Sequence, residues 1–167
     1  MDIQGHGIAA TLPARWEGVI GQRPEAVAAG LFNGVPAVGG LGSPDERILP
    51  TAHLATIALP AERGDFGSGA VENLGPDDLF VGLLEYGPEC AGTAAFARDG
   101  VPRRARRASF GKRSLQRTID GQSGWQQFCT EGGRAFCLYV VLGRDEGIEP
   151  LLTELNTVLR SLRISPA

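Results

Sequence analysis

Near the end of the chain, apolar residues recur with the period of a helix. From Gly147 to Leu162 they fall within an arc of roughly 120° on a helical wheel, and polar residues fill the opposite side. The apolar positions are Ile148, Leu151, Leu152, Leu155, Val158, Leu159 and Leu162. Pro150 falls in the first turn, where its missing N–H costs least. The pattern predicts an amphipathic helix that packs one side against a flat surface such as a sheet.

Earlier in the chain, the apolar residues follow strand patterns instead. The clearest pair is 125–131 and 134–142, two stretches rich in aromatic and β-branched residues on either side of Gly132-Gly133, which predicts a hairpin. The apolar run 79–86 predicts another strand, because Gly82 weakens a helix there and Gly87-Pro88 ends the run. Weaker signals predict strands at 6–12, 16–20, 53–59 and 162–164.

The other stretches are predicted to be mostly loop. Residues 21–50 are rich in glycine and proline and favour only a short helix at 24–31, while 64–75 is a glycine-rich loop. Residues 88–118 favour loop with one helical turn near 112–117. Strands followed by a hairpin and a covering helix predict one α+β domain over 1–167. Its sheet is expected to be mostly antiparallel and covered by helices, with the C-terminal amphipathic helix packed on it.

Motifs at the two ends of the chain resemble a known structural group. An opening strand leads into Leu12-Pro13-Ala14-Arg15-Trp16-Glu17, and the closing helix ends in Leu159-Arg160-Ser161-Leu162-Arg163-Ile164. This arrangement resembles the Mog1/PsbP-like group, which includes mycobacterial lipoproteins of the LpqN type. The whole chain also looks similar to small actinobacterial proteins without an assigned function, and the segment 132–143 contributes most to this resemblance. The resemblance implies a non-enzymatic binding role and supplies no catalytic residues.

Composition and charge narrow the function classes. The 167 residues are 43% hydrophobic, which is enough for one core without metals or disulfides, and no apolar run reaches membrane-spanning length. No signal peptide or lipobox cysteine is recognised, so the expected location is the cytosol. The net charge of -3 argues against a nucleic-acid partner, because nucleic-acid binders carry an excess of positive charge. Charge is uneven, however: residues 61–90 hold seven acids against Arg63, and residues 98–117 hold eight bases against Asp99.

The basic stretch supplies the predicted binding site, because guanidinium groups pair bidentately with oxyanions. The candidate partner-binding residues are Arg103, Arg104, Arg106, Arg107, Phe110, Lys112 and Arg113. The same bases could instead pair with the acidic stretch 61–90 or be solvated. The leading hypothesis is a non-catalytic module that binds a protein partner or another copy of itself. The alternative is a small-molecule or anion-binding protein, whose pocket between sheet and loops is lined by Trp16, Tyr86, Trp125 and arginines.

No recognised spacing indicates catalysis or a resident metal. The G-x-S-x-G, HExxH, paired CxxC and EF-hand patterns are absent from the sequence, so we expect no catalytic residues, cofactor or metal. An enzyme would have to use His53 with Cys129, Cys137 or an acid. Cys90, Cys129 and Cys137 are expected to be reduced core or strand residues, with a Cys129–Cys137 bridge as the alternative.

Overall fold

Two antiparallel sheets and one α-helix form the part of the chain that the computed structural model describes, residues 1–24 and 48–167. The smaller sheet consists of β1 (Asp2–Gly5), β2 (Ile8–Thr11) and β8 (Arg163–Ile164), in that order. The larger sheet consists of β3 (Glu17–Pro24), β4 (Ile48–Ala55), β5 (Leu79–Tyr86), β6 (Ser123–Glu131) and β7 (Arg134–Leu142). Its strand order is β3-β4-β5-β7-β6, and helix α1 spans Glu149–Ser161.

The larger sheet is buried on both sides. Side chains alternate between the two sides of a strand, so paired residues such as Leu83 and Leu138 share one side, while Leu84 and Cys137 share the other. The side of Leu83 shares a core with the apolar stripe of α1, and we call it the helix face. The opposite side is the loop face. It is covered by apolar residues of the loops, including Phe66 and Phe96.

The structure confirms the predicted α+β architecture with mostly antiparallel strands. It also confirms the predicted hairpin, which is β6–β7, the predicted strand β5 and the predicted helix α1. The predicted covering of the sheet by helices is wrong for the loop face of the described chain. Loops interrupted by short 3-10 turns cover that face, because their glycine- and proline-rich sequences cannot continue a helix. Three of the turns, Val71–Asn73, Pro88–Cys90 and Ala94–Phe96, lie over the loop face. The other two, Arg107–Ser109 and Lys112–Ser114, flank Phe110, which packs on the helix-face core.

Several strand boundaries differ from the prediction. Strand β1 was not predicted, and a turn at His6-Gly7 separates it from β2 within the predicted strand 6–12. Strand β4 covers 48–55 instead of 53–59. Its Pro50 is tolerated because β5 pairs with β4 only from Thr51 onward, so the missing N–H breaks no bond in that ladder. The helix predicted at 24–31 lies outside the described residues beyond Pro24.

A buried guanidinium, that of Arg134, joins the two sheets. Its Nε lies 2.9 Å from Oε1 of Glu85, and its Nη2 lies 2.5 Å from Oε2 of the same carboxylate. The same group donates to the carbonyl oxygens of His6, Gly7 and Ser165 at 2.9–3.2 Å. Glu85 and Arg134 belong to the larger sheet, whereas the three carbonyls flank strands of the smaller one. Arg134 therefore fixes the position of the smaller sheet against the larger.

Replacing Arg134 with methionine should lower the free energy of unfolding by about 3–5 kcal/mol, because the Glu85 carboxylate loses its buried partner. The double variant Arg134→Met/Glu85→Met should lose less free energy of unfolding, since neither charge of the buried pair remains. Arg117→Met is the control, because Arg117 forms an exposed ion pair with Glu72 and such pairs contribute about 1 kcal/mol or less. Urea unfolding of the four proteins tests the prediction. Equal losses for Arg134→Met and Arg117→Met would contradict the role of Arg134.

Candidate functional site

The predicted partner-binding residues lie on one exposed segment, which we call the basic loop (residues 98–117). Five of the seven are exposed, and Arg103 and Phe110 are half-buried. Phe110 packs edge-on against Trp125, with 5.9 Å between ring centroids, and so anchors the loop to the helix-face core. The side-chain oxygen of Asn156 on α1 also accepts a bond from the backbone N–H of Ala105. The structure thus holds the basic loop against the sheet and the helix.

Four cations of the basic loop form ion pairs. The distances from side-chain nitrogen to carboxylate oxygen are 2.6 Å for Arg103–Glu131, 3.5 Å for Arg107–Glu149, 3.2 Å for Lys112–Asp145 and 3.2 Å for Arg117–Glu72. Of these acids, only Glu72 comes from the acidic stretch 61–90. Pairing between the two charged stretches is therefore limited to one exposed contact within the described residues.

The other four arginines of the basic loop remain exposed. Arg98, Arg104, Arg106 and Arg113 form no ion pair with any residue in the described ranges. A pocket of about 150 Å³ lies at the start of α1, lined in part by Arg107, Phe110, Lys112 and Asp145, and Arg106 and Arg113 are the chain neighbours of two of these residues. Three predicted binding residues thus surround one concavity, with uncompensated positive charge next to it.

The aromatic residues of the alternative hypothesis do not share a pocket. Trp16 and Trp125 are buried in the helix-face core, where Nε1 of Trp16 donates to Glu154 over 2.7 Å. Tyr86 lies on the loop face beside Phe96. The sheet separates the two tryptophans from Tyr86, so the predicted pocket lined by these three rings is wrong.

A different cavity lies at the β3 edge of the loop face, and we call it the Arg23 cavity. It measures about 170 Å³, and its polar lining consists of Gln22, Arg23, Thr51, His53, Arg63 and Asp65. Strands β3 and β4 place Arg23, Thr51 and His53 on the same side of the sheet, while the loop after β4 supplies Arg63 and Asp65. The sequence did not predict this site. Its one local signal was the polar pair 51 and 53 on one side of an otherwise apolar strand.

Arg23 is held rigidly although it carries a charge inside the protein. Its side chain is only 7% exposed, Nε donates to the Thr51 hydroxyl at 2.9 Å, and Nη2 donates to the carbonyl oxygen of Glu85 at 2.9 Å. Its Nη1 lies 3.3 Å from Oδ2 of Asp65. Burial raises the pKa of Asp65, and the nearby Arg23 charge partly offsets this effect.

Both ring nitrogens of His53 are occupied. Nε2 lies 2.8 Å from the carbonyl oxygen of Asp65, and Nδ1 accepts a hydrogen bond of 2.9 Å from Nε of Arg63. Because Arg63 can only donate, the proton of the neutral ring is on Nε2. Burial, helped by the charges of Arg63 and Arg23, lowers the pKa of His53 to about 4, although the bond to Asp65 acts in the opposite direction. His53 therefore has no free nitrogen with which to act as a general base.

The two cysteines that the enzyme hypothesis pairs with His53 do not lie near that residue. Cys129 pairs with Phe136 and faces α1, whereas His53 lies on the loop face. Cys137 lies on the loop face but two strands away from His53, about 10 Å across a sheet. Burial raises the pKa of both thiols to about 12. Both are free and point to opposite sides of the sheet, so the alternative Cys129–Cys137 bridge is wrong.

Two further features are absent from the part of the chain that the structure describes. No group of three or more His, Cys, Asp or Glu side chains there could hold a metal ion. Its one α-helix is too short to cross a membrane. Comparison with known proteins finds no family model, no curated protein and no solved structure that matches the chain.

His53 should make the protein less stable as the pH falls. The folded protein binds fewer protons than the unfolded chain between the unfolded histidine pKa of about 6.5 and the folded value of about 4. The stability that depends on neutral His53 is therefore complete above pH 6.5 and is lost towards pH 4, by on the order of 3 kcal/mol. Urea unfolding of wild type and His53→Gln across this range isolates the effect, because other titrating groups cancel in the difference. If the difference in free energy of unfolding between the two proteins stayed constant with pH, the predicted effect of His53 would be contradicted.

The buried thiols should not react in the folded protein. Cys129 and Cys137 are buried, whereas Cys90 is only half-buried. We expect a thiol reagent such as Ellman's reagent to modify at most Cys90 under native conditions, and the Cys90→Ser variant to show no native reaction. In urea, two thiols of that variant should become reactive. Fast native modification of Cys90→Ser would show that the core is not closed as described.

Proposed function

We propose that the protein is a non-catalytic protein-interaction module whose basic loop binds an acidic surface of a partner protein. The observation that carries this proposal is the set of four exposed arginines, Arg98, Arg104, Arg106 and Arg113, that form no ion pair within the described residues. In a protein of net charge -3, such a local excess of positive charge attracts and orients an acidic partner.

The pocket at the start of α1 suits one acidic side chain of that partner. Arg107 and Lys112 line it with Phe110, and their present partners Glu149 and Asp145 form pairs at the surface. Exposed ion pairs contribute only about 0.2–1 kcal/mol each, so a partner carboxylate can replace Glu149 or Asp145 at little cost. The half-buried ring of Phe110 adds an apolar wall beside the two charges.

Two other observations agree with a binding role. His53 has no free ring nitrogen, and the buried thiols have pKa values far above neutral, so the usual nucleophile and base are lacking at these positions. The resemblance of the chain ends to the Mog1/PsbP-like group points the same way, because its members are largely binding proteins. We include a Mog1/PsbP-like relationship in the proposal.

A separate protein is favoured over a second copy as the partner. The acidic stretch 61–90 of another copy would be the obvious match, but most of its carboxylates already serve arginines elsewhere in the fold. These pairs are Arg23–Asp65, Arg15–Asp78, Arg144–Asp77 and Arg134–Glu85. A second copy therefore offers little unpaired acid to the basic loop.

The test neutralises three of the free arginines, in the variant Arg104→Gln/Arg106→Gln/Arg113→Gln. Poly-L-glutamate serves as the acidic polypeptide, and its affinity is measured by fluorescence anisotropy at low and high salt. We expect binding to weaken about tenfold, since three exposed charge contacts of about 0.5 kcal/mol are lost. The control Gln4→Glu/Ala58→Glu/Ser68→Glu changes the net charge equally at exposed positions outside the basic loop and should weaken binding much less.

Three outcomes would overturn the proposal. Equal weakening by both triple variants would show that net charge, and not the basic loop, controls binding. Tighter binding of a DNA duplex than of poly-L-glutamate at the same salt would show that the partner class is wrong. A salt-sensitive dimer in sedimentation velocity that the three arginine substitutions abolish would identify a second copy as the partner instead of a separate protein.

A further inference from the structure

One serine of the basic loop directly follows a group of arginines. Arg106 and Arg107 stand three and two positions before Ser109, and Phe110 follows it. No other serine or threonine among the 167 residues has an arginine three positions earlier. Protein kinases select their substrates by the pattern of charges around the acceptor hydroxyl. The spacing therefore distinguishes Ser109 from every other hydroxyl of the chain.

The structure presents this segment between two anchors. Asn156 on α1 holds the backbone N–H of Ala105, and Phe110 packs against the helix-face core. Between these points residues 106–108 are exposed and Ser109 is half-buried. An enzyme can thus approach the segment from solvent, while the two anchors keep it at a defined place on the surface.

The turn that contains Ser109 is held by short-range hydrogen bonds. The N–H of Ser109 donates to the carbonyl oxygen of Arg106 over 2.9 Å, and the N–H of Phe110 donates to that of Arg107 over 3.1 Å. The hydroxyl oxygen of Ser109 accepts a long bond of 3.4 Å from the N–H of Arg106. Because these bonds lie within one exposed turn, the segment can open into the extended form that a kinase binds without disturbing the sheets.

The two arginines before Ser109 are available to an acidic enzyme groove. Arg106 forms no ion pair with any residue in the described ranges, and the pair between Arg107 and Glu149 is exposed and 3.5 Å long. Guanidinium groups pair bidentately with carboxylates, so both side chains can bind the acids of such a groove.

We propose that Ser109 is the phosphorylation site of a serine kinase with an acidic substrate groove, and that its phosphate switches off the basic loop. Oγ of Ser109 attacks the terminal phosphorus of ATP, the bond from that phosphorus to ADP breaks, and a base of the kinase takes the hydroxyl proton. The phosphate adds nearly two negative charges beside Arg106 and Arg107 and accepts hydrogen bonds from them. It thereby occupies groups that would bind an acidic partner. The switch rests on the proposed function of the basic loop, whereas the modification site does not.

The modification site is tested on the folded full chain with ATP and the catalytic subunit of cyclic-AMP-dependent protein kinase, which selects arginine at both positions. Peptide mass mapping should locate the phosphate on Ser109, with less than about a tenth as much on Ser114. Ser114 is the internal control, because it is also half-buried and also ends a 3-10 turn, but Gly111 stands three positions before it. Ser109→Ala should abolish the main phosphate, and Ser114→Ala should leave it unchanged.

A matched pair of double variants tests the role of the arginines. Arg106→Gln/Arg107→Gln should lower the initial rate of phosphorylation at least about tenfold, because the groove loses both of its charged contacts. Arg113→Gln/Arg117→Gln removes the same charge from the same loop but lies after the acceptor, so its rate should stay within about twofold of the wild type.

The switch is measured by fluorescence anisotropy with poly-L-glutamate before and after phosphorylation. We expect the phosphate to weaken binding about fivefold, because it neutralises two of the positive charges of the basic loop. The Ser109→Ala protein, treated with kinase and ATP in the same way, should keep its affinity.

Each part of the proposal has a result that overturns it. A mass map without phosphate on Ser109, or equal rates for the two double variants, would show that this serine is not selected by its arginines. If the phosphorylated protein binds poly-L-glutamate as tightly as the unmodified protein does, the phosphate is not a switch. If the unmodified protein does not bind poly-L-glutamate, the proposed function and the switch both fail, while the mass map still decides whether Ser109 is a modification site.

Discussion

The arrangement of the two sheets depends on how a single guanidinium is satisfied inside the protein. Arg134 is only 8% exposed, yet five hydrogen bonds to Glu85 and three backbone carbonyls use its donors. The turn between β1 and β2 is shaped around this group. A Cβ on Gly7 would lie 2.5 Å from Nη1 of Arg134, and Gly7 has a φ of 74° that favours glycine. The fold of the first residues thus depends on a charge contributed by β7.

Arginine has two different roles in this protein. Arg23 and Arg134 are buried and hold backbone carbonyls and carboxylates together, whereas the arginines of the basic loop are exposed, apart from the half-buried Arg103. The acidic stretch 61–90 supplies partners for arginines from several separate elements, so most of its carboxylates already form ion pairs within the folded chain. Of the eight bases in the basic loop, four have ion-pair partners in the described chain and four arginines do not. The charge asymmetry seen in the sequence therefore becomes a basic surface without an equally acidic counterpart.

The sequence predicted the elements that depend on local patterns. The hairpin, strand β5 and helix α1 each carry their own signal, in turn glycines, apolar runs or helical periodicity. It did not predict β1, whose pairing with β2 compensates for a short and mostly polar strand. The basic loop is mostly irregular, as predicted for 88–118, but which of its arginines are paired depends on distant acids such as Glu131 and Glu149.

The Arg23 cavity could not be predicted for a similar reason. Its members come from β3, β4 and the loop that follows, and nothing local distinguishes Arg23 from the exposed arginines. Burial of that residue results from the register of β3 against β4, which places it over the same side of the sheet as Thr51. Long-range register of this kind is set by the whole sheet and cannot be derived from a short window of sequence.

The unequal covering of the larger sheet has a consequence for its behaviour in concentrated solution. The helix face is closed by α1, which has hydrogen bonds of its own. The loop face is closed by irregular segments held by rings such as Phe66 on Tyr139 and by scattered hydrogen bonds such as that between His53 and the Asp65 carbonyl oxygen. Detachment of those rings would uncover Phe80, Leu84 and Tyr139 while every strand remained paired. Aggregation would then begin from a nearly native molecule, through an exposed apolar sheet surface, before any global unfolding.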